Sequence, residues 1–126
     1  MQYKFPLECL PEKSLIRTYT EHLNENSESP IQYHFGAILC GISILLGRKA
    51  SYTLGYHTLF PNIYLMVIGE SGMTRKSSAM RPILQSIRSI NPKLILSTNL
   101  SHESLIPSFQ SQPTRILFFD EMKMLF

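Results

Sequence analysis

Residues 62–78 constrain the fold more than any other stretch: Asn-Ile-Tyr-Leu-Met-Val-Ile-Gly-Glu-Ser-Gly-Met-Thr-Arg-Lys-Ser-Ser takes an uncharged apolar run into a glycine-containing loop that ends in Lys-Ser. The run at residues 63–68, with β-branched Ile63, Val67 and Ile68, predicts a short parallel strand covered on both faces. Gly69 and Gly72 then let the backbone fold around an anion, with amide hydrogens turned inward and the next helix presenting its positive end to the same point. In such a loop Lys76 reaches the β- and γ-phosphates of a nucleotide, and the Ser77 hydroxyl ligates Mg²⁺. Glu70, Ser71, Met73, Thr74, Arg75 and Ser78 complete the predicted nucleotide-binding segment.

The spacing departs from the usual G-x-x-x-x-G-K-[ST]. Lys76 lies seven residues after Gly69, and Arg75 holds the place of the glycine before the lysine, so the loop is one residue longer. Taken alone, a Gly-Ser-Lys turn after an apolar segment is also an ordinary surface turn. A second feature decides between them. Arg115-Ile-Leu-Phe-Phe-Asp-Glu121 runs four apolar residues into an acidic pair, the pattern of a Walker B strand. Asp120 at the carboxyl end of such a strand holds Mg²⁺ opposite the loop serine, and Glu121 orients and deprotonates the attacking water.

Length and charge bound the remainder. A chain of 126 residues, 44% hydrophobic, is one domain or less with enough apolar content for a core. Residues 1–47 carry five glutamates against Lys4, Lys13 and Arg17, net −2, whereas residues 48–126 carry nine Lys or Arg against four acids, net +5. The basic part is the part with the loop, which suits a nucleotide or nucleic acid and equally a solvated basic face. Cys9 and Cys40 have no zinc-ligand spacing and imply no disulfide framework, as expected of a protein in a reducing cytoplasm. The apolar stretch at residues 31–46 is shorter than the roughly 20 residues that span a bilayer and includes Gln32 and His34, so no membrane partner is expected.

Along the chain, Pro6 and Pro11 punctuate an irregular lead-in. Leu15 or Ile16, Tyr19 and Leu23 recur at helical spacing, with a break expected from Asn24. Ser29-Pro30-Ile31-Gln32 predicts a second helix start, with Ser29 as cap and Gln32 completing a capping box. That helix carries a broad apolar face and a narrow face of Gly36, Cys40, Ser43 and Gly47, against which another element should pack closely. His34 is read as a hydrogen-bonded core histidine, with a ligand or base as the alternative. Residues 48–60 turn extended around Gly55-Tyr56-His57. The helix after Lys76 should bury Met80, Ile83, Leu84 and Ile87, turn Arg81, Gln85 and Arg88 outward, and kink at Pro82. A short strand at residues 94–96, a weak helix near 101–110 interrupted by Pro107, and the Walker B strand follow.

The predicted fold class is therefore α/β: an N-terminal helical region over residues 1–58, then the front part of a RecA-like or AAA-like P-loop NTPase parallel sheet over 59–126. In that order both binding elements lie at the carboxyl ends of neighbouring strands, where ligands bind in open parallel sheets. Further strands bearing a sensor residue and an arginine finger are expected after Phe126, so the chain reads as a front-end fragment of such a core.

The resemblance extends beyond the two motifs. Pro11-Glu12 before a helix, Leu46-Gly47-Arg48-Lys49, Phe60-Pro61-Asn62-Ile63-Tyr64, the Arg75-Lys76-Ser77 form of the loop and Phe118-Phe119-Asp120-Glu121 resemble a family of P-loop proteins of unknown function associated with primases and helicases of phages, plasmids and integrated mobile elements. The Arg-Lys-Ser form recurs in that family, which implies a variant loop. The resemblance implies a Mg²⁺-dependent ATP-binding or ATP-hydrolysing module of a DNA-processing protein. It leaves open DNA as a partner and a homo-oligomer of the complete protein. Two alternatives stand beside it: a non-catalytic nucleotide- or DNA-binding module, and a small-molecule phosphotransferase.

Overall fold

The computed structural model describes residues 5–70, 73–96 and 102–119 of a mixed α/β chain. It divides into two compact units, one of Met1–Ile42 with Ile63–Ile83, the other of Ser43–Asn62 with Leu84–Phe126.

In the first unit, a short 3-10 turn at Leu7–Cys9 leads to α1, Leu15–Asn26. Ser14 caps α1 by accepting the Arg17 amide at 3.2 Å, and Arg17 pairs with Glu21 one turn on, 2.7 Å away. The helix continues through the asparagines expected to break it and stops before Ser27. α2, Ile31–Leu46, begins one residue after Pro30, whose carbonyl accepts the Tyr33 amide. Ser29 does not cap α2, contrary to the sequence expectation. Its hydroxyl donates instead to the Arg75 carbonyl, 46 residues away, at 2.9 Å.

Gly36, on the small-residue face of α2, is closely approached, and so is Gly41, which the sequence pattern did not place on that face. A Cβ on Gly36 would lie 2.9 Å from Leu65 Cδ2, and one on Gly41 would lie 2.5 Å from Ile83 Cδ1. Ala37, Ile38, Ala79, Met80 and Ile83 form the buried apolar core of this unit, and Phe5 packs its ring against Phe35 at 4.9 Å.

Residues 63–68 are not a strand. They pair with no strand among the described residues, and Ile63, Tyr64, Leu65, Met66 and Ile68 are exposed. A parallel strand forms only where a neighbour accepts its slanted ladder of hydrogen bonds. This segment is held instead by Leu65 against Gly36 and by the Tyr33 hydroxyl, which donates to the Ile68 carbonyl at 2.7 Å.

In α3, Lys76–Ile90, the sequence period is realised. Met80, Ile83 and Ile87 are buried, Leu84 is half-buried, and Arg81, Gln85 and Arg88 are exposed. Pro82 lies inside a continuous helix.

In the second unit, β1, Tyr52–Leu54, pairs antiparallel with β2, His57–Leu59, placing Tyr52 opposite Leu59 and Leu54 opposite His57. Gly55 opens the two-residue turn with φ of +60°, the conformation a tight hairpin requires at its first turn position. Gly47, at φ +51°, ends α2, and Ser43 donates its hydroxyl to the Pro61 carbonyl. Both residues belong to the small-residue face read from the sequence. Arg48 lies over the Phe60 ring at 4.6 Å.

After α3, a 3-10 turn at Pro92–Leu94, capped by the Asn91 side chain, feeds β3, Ile95–Leu96. α4, His102–Ser111, runs through Pro107 without interruption. β4, Ile116–Leu117, then pairs parallel with β3, Ile95 opposite Ile116. Strand, helix and parallel strand here form a crossover unit, and the strand covers Ile116 and Leu117 but not Phe118 and Phe119 of the predicted apolar run. Ile87 and Leu96 are the buried apolar residues here.

Candidate functional site

The described part of the loop is built around its backbone carbonyls. Ile68 O accepts from Tyr33, Gly69 O accepts from Lys76 Nζ at 2.7 Å, and Glu70 O accepts from Lys76 Nζ at 3.4 Å and from Thr74 Oγ1 at 3.0 Å. Lys76 thus closes the loop on its own starting residues. The ammonium stands at the amino end of α3, where its helix dipole also concentrates positive potential.

At Gly69 an added side chain would displace its neighbours. A Cβ there would lie 2.5 Å from Thr74 Oγ1 and 2.6 Å from the Tyr33 hydroxyl. Arg75, in the place where a glycine usually stands, has φ of +43°, inside the region that favours glycine. Three contacts hold it there. Its guanidinium pairs with Glu28 at 2.5 Å, its carbonyl accepts from the buried Ser29 hydroxyl, and the same carbonyl accepts the Ser78 and Ala79 amides that begin α3. The extra residue and the missing glycine are therefore accommodated by α1–α2 linker residues that sequence spacing could not associate with the loop.

Of the other residues read from the sequence, Met73, Arg75 and Ser78 are exposed, while Thr74, Lys76 and Ser77 are half-buried. Ser71, Gly72, Asp120 and Glu121 lie outside the described residues. Among the described residues no three His, Cys, Asp or Glu side chains gather as a metal-holding group. Of the Mg²⁺ ligands read from the sequence, Ser77 is described, in the first turn of α3.

Beside the loop is a cleft of about 380 Å³ whose walls include Leu23, Asn26, His34, Arg75, Ser78 and Pro82. His34 is fully buried, and neither ring nitrogen has a hydrogen-bond partner, contrary to the expectation of a satisfied core histidine. Burial lowers its pKa, because the charged imidazolium loses solvation there. The Tyr19 hydroxyl is likewise buried without a partner, and burial pushes its pKa up to about 12. Cys40 is buried and its thiol pKa is raised by the same cause, so it behaves as a packing residue; Cys9 is exposed, and both cysteines are free.

No helix among the described residues is long and apolar enough to cross a membrane. No family model, curated protein or solved structure matches the chain.

Proposed function

We propose that residues 69–78 bind the phosphates of a nucleotide, and that the chain is a Mg²⁺-dependent ATP-binding module of the P-loop class serving DNA processing. The observation that carries this reading is the closed loop. Lys76 spans back to the carbonyls of Gly69 and Glu70, at a glycine where an added Cβ would displace the Thr74 or Tyr33 hydroxyl. In this reading Lys76 sets a full positive charge against the β- and γ-phosphates, while amides of the loop and of the first turn of α3 supply further donors.

Bound Mg²⁺ would neutralise charge on the transferred phosphoryl group. Ser77 and Asp120 are the residues assigned to hold it. Glu121 positions and deprotonates water, which separates an ATPase from a binding module. The parallel β3–β4 pair, joined through α4, supports reading Ile116 and Leu117 as a sheet strand that leads toward the Phe118-Phe119-Asp120-Glu121 sequence. The choice of DNA as the setting and ATP as the nucleotide rests on the resemblance read from the sequence motifs alone.

The two acidic neighbours give the test. Asp120→Asn should lose the Mg²⁺-dependent part of ATP binding. Glu121→Gln should bind ATP like the parent while slowing any hydrolysis by about 10²- to 10⁴-fold, the usual contribution of a general base. Titration with and without Mg²⁺, beside a phosphate-release assay, reads both. Equal hydrolysis by parent and Glu121→Gln removes Glu121 as the base, and ATP binding without hydrolysis by the parent favours the non-catalytic module.

A further inference from the structure

We infer that the β1–β2 hairpin, with Arg48, Lys49 and Arg115 beside its base, binds single-stranded nucleic acid by stacking bases on its aromatic rings. The inference extends the DNA-processing part of the proposed function by giving the strand a surface, and no residue of the phosphate loop carries it.

The hairpin is exposed on both faces. All nine residues from Ser51 to Leu59 are exposed, Tyr56 at the turn completely so. The register places Tyr52 opposite Leu59 and Leu54 opposite His57. Because side chains alternate along a strand, these four share one face and Thr53 and Thr58 occupy the other. A two-stranded ribbon gains little stability alone, so folding does not account for large side chains gathered here in water. Tyr52 and His57 are diagonal neighbours on the aromatic face, about 7–8 Å apart as such pairs usually are. Rings so placed can receive successive bases, and Leu54 and Leu59 extend the apolar floor.

The charge around the hairpin identifies the occupant. No Asp or Glu occurs from residue 43 to 62, whereas Arg48 and Lys49, just before β1, are both exposed. A Cβ on Gly47 would lie 2.8 Å from Thr114 Cγ2, so the chain at Arg115 runs beside the chain at Arg48. The Arg115 guanidinium donates to Ser111 Oγ at 3.2 Å, and among the described residues none of these three cations pairs with a carboxylate. Arg48 lies over the Phe60 ring, which holds its planar guanidinium at the root of the hairpin. Cations without carboxylate partners beside exposed rings match a phosphodiester strand with unstacked bases. A protein partner fits less well, because a stable interface takes about 20–30 residues a side with charge depleted at its core. A duplex keeps its bases stacked on one another and leaves the rings unused.

Fluorescence anisotropy of labelled oligothymidylate, oligouridylate and a DNA duplex, titrated with the 126-residue protein, tests the surface. Single strands should bind more tightly than the duplex, with log K falling against log salt at a slope of about −2, near −0.7 for each cation. Tyr52→Ala and Tyr56→Ala should each weaken single-strand binding about fivefold to a hundredfold with the slope unchanged. Tyr52→Phe should retain the affinity, since the ring and not the hydroxyl makes the contact. Lys49→Ala should reduce the magnitude of the slope by about 0.7. All three positions are exposed, so the variants should match the parent in circular dichroism and in Mg-ATP titration. A parent that binds no single strand, binds duplex as tightly, or keeps full affinity in both tyrosine-to-alanine variants overturns the proposal. Mg-ATP binding by such a parent leaves the nucleotide reading standing. Self-association of the parent that Tyr56→Ala abolishes assigns the face to a second copy and likewise overturns the proposal. Binding of oligouridylate alone upholds the surface and overturns DNA as the setting.

Discussion

Replacing Arg75 by glycine and, separately, by alanine isolates the backbone strain at the crest of the loop. Both substitutions remove the ion pair with Glu28. Those side chains are 55% and 72% exposed, so the pair contributes about 0–1 kcal/mol, and the loss cancels between the two variants. What differs is the backbone at φ +43°, where a Cβ costs about 1–2 kcal/mol and glycine incurs no such penalty. Glycine's greater freedom in the unfolded chain takes back about 0.5–1 kcal/mol. Arg75→Gly should therefore exceed Arg75→Ala in stability by about 0.75 kcal/mol, within about 0–1.5 kcal/mol, and lie close to the parent. Urea denaturation followed by circular dichroism reads the difference from the midpoints, provided the slopes agree. An alanine variant more stable than the glycine variant would refute the claim that Arg75 occupies a glycine-preferring conformation.

Two further perturbations test the surroundings of the loop. Gly69→Ala should lower stability by about 1–3 kcal/mol in urea, because Thr74 or Tyr33 must shift from the 2.5 and 2.6 Å approaches and give up its hydrogen bond to a loop carbonyl. His34 should make the fold acid-sensitive: its folded pKa is lowered, so the unfolded chain takes up the proton first, and stability falls as pH drops below about 6.5 toward the folded value. Urea midpoints at pH 7.5 and pH 5.5 should differ less in His34→Gln than in the parent, and an identical pH dependence would exclude His34 as the source.

What could be read from the sequence was local and periodic. The buried face of α3 followed from the spacing of Met80, Ile83 and Ile87, and Gly36 on the small-residue face of α2 announced close approach before Leu65 was known to supply it, whereas the approach of Ile83 to Gly41 was not read. Ser29 was legible as a polar residue before a proline and a helix, yet its partner is a carbonyl 46 residues away, beyond the reach of any capping pattern. Residues 63–68 carry strand-forming side chains, but strand formation depends on a hydrogen-bonded neighbour, which composition does not specify. A lone histidine likewise gives no indication of whether its nitrogens find partners; the vacancy at His34 exists only once α1, α2 and α3 meet.

The central claim is that Lys76 and the loop it closes bind nucleotide phosphates, and titration of Mg-ATP into the parent and into Lys76→Ala tests it most directly. The account predicts binding by the parent and a loss of about a hundredfold or more in a variant whose circular dichroism shows it folded, since backbone dipoles cannot replace the charge-assisted hydrogen bonds of the ammonium. Unchanged Mg-ATP affinity in folded Lys76→Ala would contradict it.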